Sequence, residues 1–181
     1  CLIVAASSIA APLQSVYFIH ERGVSDRWMG IWAMALSTGA VFGTLIWRKL
    51  QNTRGSYAIF SWTVPISGVY FLLIILAPNV ELILMATLFA GWMNAGTDVG
   101  IWLGLFRYGS EARRTMLINI YIGFALGIPF IAAFFIPFLT NRFTLTEIFI
   151  GSFIVRTLVG LYFKIPSVYA LLKDQVPNNP S

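Results

Sequence analysis

The stretch LILMATLFAGWMNAGTDVGIWLGLF, residues 82–106, holds one ionisable side chain, Asp98, in 25 consecutive positions. A bilayer core of ~30 Å takes about 20 helical residues to cross, so this run has the length and character of a membrane-spanning helix. It is far longer than the roughly 10 residues of a barrel strand, and it does not alternate between apolar and polar positions. Five more runs of the same kind flank it. Upstream lie Leu2–Ile19, Trp28–Trp47 and Tyr57–Ala77, all uncharged, and Pro78-Asn79 ends the third. Downstream lie Met116–Leu139, with Gly123, Gly127, Pro129 and Pro137 inside it, and Ile148–Phe163, which contains Arg156. Six such runs in succession predict an all-α integral membrane bundle of six transmembrane helices over residues 1–166, followed by a polar tail at 167–181.

Composition points the same way. Of the 181 residues, 58% are hydrophobic and 10% charged, against roughly a quarter charged in soluble domains. Such a surface must largely face lipid. The net charge of +5 sits in short clusters between apolar runs, which is a topology signal and not a nucleic-acid footprint. One set of alternate loops carries Arg48, Lys49 and Arg54, then Arg107, Arg113 and Arg114, then Lys164 and Lys173. In the other set Arg22, Arg27 and Arg142 are mixed with Glu21, Asp26, Glu81 and Glu147. The positive-inside rule puts the first set in the cytoplasm, with both termini cytoplasmic and the protein in a cell (inner or plasma) membrane. The single cysteine, Cys1, excludes an internal disulfide. The chain starts without Met and runs at once into an apolar span, so it is expected to be a piece of a longer protein.

Several chemistries find no support. There is no G-x-x-x-x-G-K-[ST] phosphate loop, no Cys/His cluster for a metal and no T-V-G-Y-G potassium filter. The only histidine, His20, lies at a span end, which leaves no buried Ser–His pair. The reading is therefore a membrane protein that is not an enzyme and carries no cofactor.

Within the fourth run, Thr87, Gly91, Asn94 and Asp98 recur at steps of four, three and four, which places them on one helix face. A charge in a span costs a few kcal/mol, so Asp98 is expected to face the bundle interior or a water-filled cavity. Two roles stay open for it, a substrate or proton-coupling contact and a structural carboxylate. Arg156 shares a stripe with Ser152, Gly160 and Lys164 that suits helix packing. Asp98 and Arg156 lie at similar depths, roughly 12–14 Å from the same membrane face at ~1.5 Å per residue. An Asp98–Arg156 ion pair is the expectation, with snorkelling of Arg156 as the alternative. Gln14 and Asn119 are further polar candidates for a cavity wall, and Gly123–Gly127–Pro129 is either a hinge or a fixed kink.

The order of spans and loops resembles the second half of major facilitator superfamily transporters. The loop Glu21-Arg22-Gly23-Val24-Ser25-Asp26-Arg27-Trp28-Met29-Gly30 is similar to that family's "xxGxSxxxxG" entry to its second helix. The following helix carries Ser37, Gly39, Ala40 and Gly43 and ends in Trp47, Arg48, Lys49 and Leu50 before Gly55. The family's loop there is G-x-L-x-D-R-x-G-R-R; with Gly55 on its second glycine, Asn52 takes the Asp position and Thr53 the Arg position. Tyr108–Met116 looks like the family's "P-E-x-R-R" linker through Glu111, Arg113 and Arg114. The resemblance implies half of a twelve-helix fold, made of two inverted three-helix repeats at about Cys1–Ala77 and Leu82–Ile165. It further implies secondary active transport of a small solute by alternating access, with proton-coupled efflux as one form of it, and with an N-terminal six-helix half of the same transporter and the lipid bilayer as partners. The rival reading is a non-transporting six-helix structural, assembly or sensor protein.

Overall fold

The computed structural model describes residues 2–107, 111–162 and 164–165. The tail 167–181 and the centre of the 108–116 linker lie outside the described residues. All regular structure among the described residues is helical: α1 (Leu2–Val16), a π-helical turn (Tyr17–Glu21), α2 (Asp26–Leu76), α3 (Val80–Arg107), α4 (Glu111–Arg142) and α5 (Leu145–Tyr162).

A continuous helix of the length of α2 would extend about 76 Å at 1.5 Å per residue, far beyond a bilayer. Gly55 prevents this. Its φ of 79° and ψ of 156° lie in a region open to glycine alone. The break divides α2 into two apolar arms, Asp26–Gln51 and Ala58–Leu76. With Val80–Phe106, Arg113–Arg142 and Leu145–Tyr162 they make five segments long and apolar enough to cross a membrane. The expected first span differs. Its α-helical hydrogen bonding stops at Val16, and the π-turn carries the chain on to Glu21. The apolar run is intact, but its α-helical part is only 15 residues long.

Local chemistry fixes the ends. After the π-turn, Gly23 takes a positive φ of 60°, and the Val24 amide donates back to the Phe18 carbonyl at 3.0 Å. Arg22 then donates to the carbonyls of Ile74 and Ile75 at 3.3 and 3.2 Å, placing a cation on the open C-terminal end of α2. Asn79 accepts the Leu82 amide at 3.1 Å and starts α3. Thr144 and Glu147 form a reciprocal capping box, Thr144 N to Glu147 Oε2 at 2.8 Å and Glu147 N to Thr144 Oγ at 3.3 Å. The box draws Leu145, Thr146 and Glu147 into α5, which therefore begins before the expected Ile148.

The core sits around the second arm of α2, which packs on α3 and α5. Tyr70, Phe71 and Ile74 meet Leu13, Tyr17 and Phe18 of the first helical segment, Ile83 of α3 and Phe149 of α5. The first arm crosses α3 in backbone contact. A Cβ on Gly39 would overlap the Leu88 carbonyl, and one on Gly91 would overlap the Leu36 carbonyl. Gly160 of α5 is pressed on the Pro65 ring in the same way. By contrast α4 lies at the rim beside α1, with exposed Phe124, Leu126, Phe130, Phe134 and Phe138, and its helix continues through Pro129 and Pro137. The exposed apolar side chains of α4 and of the first arm are surface suited to lipid or to a second bundle.

These contacts predict the effect of two glycine substitutions. Gly91→Ala forces the helices apart and is expected to destabilise the protein by about 1–3 kcal/mol. Gly123→Ala, whose added methyl meets no atom within 4 Å, is expected to be neutral or stabilising by up to about 1 kcal/mol. Thermal unfolding in detergent micelles, both variants beside the parent, checks this.

Candidate functional site

Two polar centres lie within the apolar bundle. The first is Arg156 of α5, 6% exposed. Its Nη1 donates to Ser67 Oγ at 2.8 Å and to Asn94 Oδ1 at 3.2 Å, and its Nη2 donates to Ser7 Oγ. The guanidinium carbon lies 5.3 Å from the centre of the Phe71 ring, a cation–π contact. One side chain thus ties α1, the second arm of α2, α3 and α5 together. Nε is buried and has no hydrogen-bond partner among the described residues. Small residues let this happen. Gly68 passes beneath the Arg156 Cβ, where a methyl would lie 3.1 Å away. The stripe read from the sequence does pack: Ser152 donates to the Ala6 carbonyl at 3.4 Å, and Lys164 covers the Trp62 ring at 3.9 Å.

The expected Asp98–Arg156 ion pair is not formed. Arg156 is occupied by three neutral polar groups, and Asp98 makes no hydrogen bond or ion pair among the described residues. Equal depth fixed the height of the two groups but not their direction around the helix axes. They remain in electrostatic reach of each other without contact. Snorkelling does not occur either, because the guanidinium is buried in the bundle.

The second centre is a groove of about 420 Å³ between the first arm of α2 and the C-terminal half of α3. Ala40, Thr44 and Arg48 form one wall. Ala95, Asp98, Val99, Trp102, Leu103 and Phe106 form the other. Asp98 is exposed and lines the groove. Trp102 and Phe106 stack with ring centres 6.2 Å apart, and Tyr121 of α4 meets Trp102 edge-on at 5.7 Å.

The remaining candidates divide. Thr87, Gly91, Asn94 and Asp98 share a helix face but serve different neighbours. Thr87 lies 3.3 Å from the Tyr70 hydroxyl, Gly91 abuts Leu36, Asn94 holds Arg156 and Asp98 opens to the groove. Gln14 is buried and accepts from Tyr70 at 3.5 Å, and Tyr70 in turn accepts from Trp32 Nε1 at 3.1 Å. Gln14 therefore belongs to a packing network. Asn119 is exposed on α4 and has no hydrogen bond to the other candidates among the described residues. Of the loop motif, Gly43 is buried against Trp92 and Ala95, Arg48 and Lys49 are exposed, Gly55 makes the break, and the Asn52 side chain lies outside the described residues. Sequence reasoning missed Ser7 and Ser67 as partners of Arg156, and it placed Arg48 in a cytoplasmic loop and a motif, not on a groove shared with Asp98. No group of three or more His, Cys, Asp and Glu side chains among the described residues could hold a metal. Compared with protein-family models, curated proteins and solved structures, the chain matches none.

A hydrogen-bonded cation and a bare carboxylate respond differently to mutation. Ser67→Ala and Asn94→Ala each leave buried donor capacity of Arg156 unmet and are expected to cost about 1–3 kcal/mol. Asp98→Asn, which breaks no contact, is expected to change stability by less than about 1 kcal/mol. Denaturant unfolding in micelles separates the two cases, and a large loss in Asp98→Asn would restore the ion pair.

Proposed function

We propose that this chain is the C-terminal six-helix half of a secondary transporter built like the major facilitator superfamily, moving a small solute by alternating access. The observation that carries this reading is a symmetry in the helix contacts. Let the spans be numbered one to six, with α1 and its π-turn as the first and the two arms of α2 as the second and third. The second packs on the fourth, the first on the fifth, the third on the fourth, the first on the sixth and the third on the sixth. Exchanging one with four, two with five and three with six returns these five contacts; the fourth also meets the fifth at Trp102 and Tyr121, as the first meets the second at Phe18 and Trp32. Two inverted three-helix repeats have this property.

The charge pattern supports cytoplasmic termini and a cell-membrane location. The exposed apolar sides of α4 and of the first arm of α2, the fifth and second spans, supply a surface for an N-terminal half. Asp98 is the coupling candidate, because a carboxylate open to a groove and free of an ion pair can take up and release a proton. Arg156 is assigned a structural role in holding four helices.

Alternating access predicts a site whose exposure depends on the driving gradient. In a Cys1→Ser background, Thr44→Cys on the groove wall is expected to react with a membrane-impermeant thiol reagent at a rate that changes severalfold when a proton gradient is imposed or reversed. Asp98→Asn is expected to remove that dependence. A rate that stays constant under every gradient, with no solute moved, would leave the structural or sensor reading.

A further inference from the structure

The groove between the first arm of α2 and α3 has an arrangement of charge that its packing does not explain. The two helices run in the same direction and touch at Gly39 and Gly91. Further along, Gly43 faces Ala95, and the Trp47 indole reaches Gly96. Thr44 and Arg48 are therefore about level with Ala95 and Val99, and Arg48 and Asp98 line opposite walls of the groove. Opposite charges so placed would be expected to join, since each loses solvation in a membrane and gains from the other. They do not: neither makes an ion pair or hydrogen bond among the described residues, both are exposed, and the cation whose field reaches Asp98 is Arg156, which is taken up by its own three partners, and not Arg48. Beyond them the groove is floored by the stacked rings of Trp102 and Phe106.

We infer that this groove binds a small amphipathic zwitterion. Its ammonium pairs with Asp98, its acidic group with Arg48, and its apolar body lies on Trp102 and Phe106. The volume of about 420 Å³ falls in the usual range of about 300–1,000 Å³ for small-molecule sites. A ligand bearing both charges neutralises both walls at once. A pure cation leaves Arg48 unmatched, and a pure anion leaves Asp98 unmatched. The aromatic floor also favours an ammonium near its ring faces. The inference deepens the transport reading by naming a substrate class, and it rests on that reading only for the consequence that the bound solute is moved.

The test is binding to the full chain in phosphatidylglycerol nanodiscs, by calorimetry, with three probes on one skeleton. These are 4-phenylphenylalanine as zwitterion, its primary amide as cation and its N-acetyl acid as anion. The zwitterion is expected to bind tenfold or more tighter than either relative, the order of one charged contact at about 1.5–3 kcal/mol. Asp98→Asn should weaken the zwitterion and the amide about tenfold and spare the acid, and Arg48→Gln should weaken the zwitterion and the acid and spare the amide. Equal affinities for the three probes, no binding, or variants that shift all three alike would overturn the inference. Should Asp98→Asn fail to fold, Arg48→Gln at an exposed position still gives the crossed pattern or fails to. In phosphatidylethanolamine nanodiscs affinity should persist; its loss by competition would assign the groove to a lipid headgroup and overturn the small-solute assignment. Charge-selective binding with gradient-independent thiol reactivity would keep this site and discard transport. The converse result would keep transport and discard the site.

Discussion

Four helical segments meet at one guanidinium. In a hydrocarbon environment each polar group must find its partner inside the protein, and Arg156 finds Ser7, Ser67 and Asn94 on three different segments while standing on a fourth. A buried cation held by neutral oxygens gains less than an ion pair, yet its bonds are directional and each points to a different helix. The relative rotation of these segments is thereby set to within the tolerance of a hydrogen bond. The Phe71 ring closes a further side of the group. The aromatic core about Tyr17, Phe71 and Phe149 then packs in a frame already fixed by polar contacts.

The other constraint is steric. Gly39 and Gly91 let the first arm of α2 and α3 approach until only backbone separates them. Where larger residues follow, at Trp47, Trp92, Trp102 and Phe106, the crossing gives way to a stacked indole pair on one side and to the groove on the other. The same helix pair therefore supplies the tightest packing in the bundle and an open cleft. Asp98 lies where one passes into the other.

What could be read from the residues follows from how local each feature is. The run 82–106 announced α3 almost to the residue, because length and apolarity belong to one segment. The apolar run of the last helix starts at Ile148, whereas Thr144 and Glu147, both polar, form the cap that starts the helix at Leu145. The π-turn at Tyr17–Glu21 left no mark in composition, since it is a change of hydrogen-bond partner and not of residue type. The face shared by Thr87, Gly91, Asn94 and Asp98 was legible, but a stripe on a helix inside a bundle meets several neighbours, so its members separated into distinct environments. The partners of Arg156 were not legible at all. Ser67 and Ser7 lie 89 and 149 residues away in the chain, and nothing in one sequence distinguishes them from other serines.

The glycine crossing has a mechanical consequence. Two helices that meet through bare backbone have few side chains to re-seat when they tilt, so the contact behaves as a fulcrum. From Gly91 to Phe106 the lever is about 22 Å long at 1.5 Å per residue, and a tilt of about 5° carries its far end about 2 Å. A shift of that size breaks van der Waals contact with whatever lies against the Trp102 and Phe106 rings. Arg156 secures Asn94 one turn beyond the fulcrum, Thr97 donates to Thr63 a turn further and Tyr121 meets Trp102, so the lever is held along most of its length, and Phe106 at its tip is exposed.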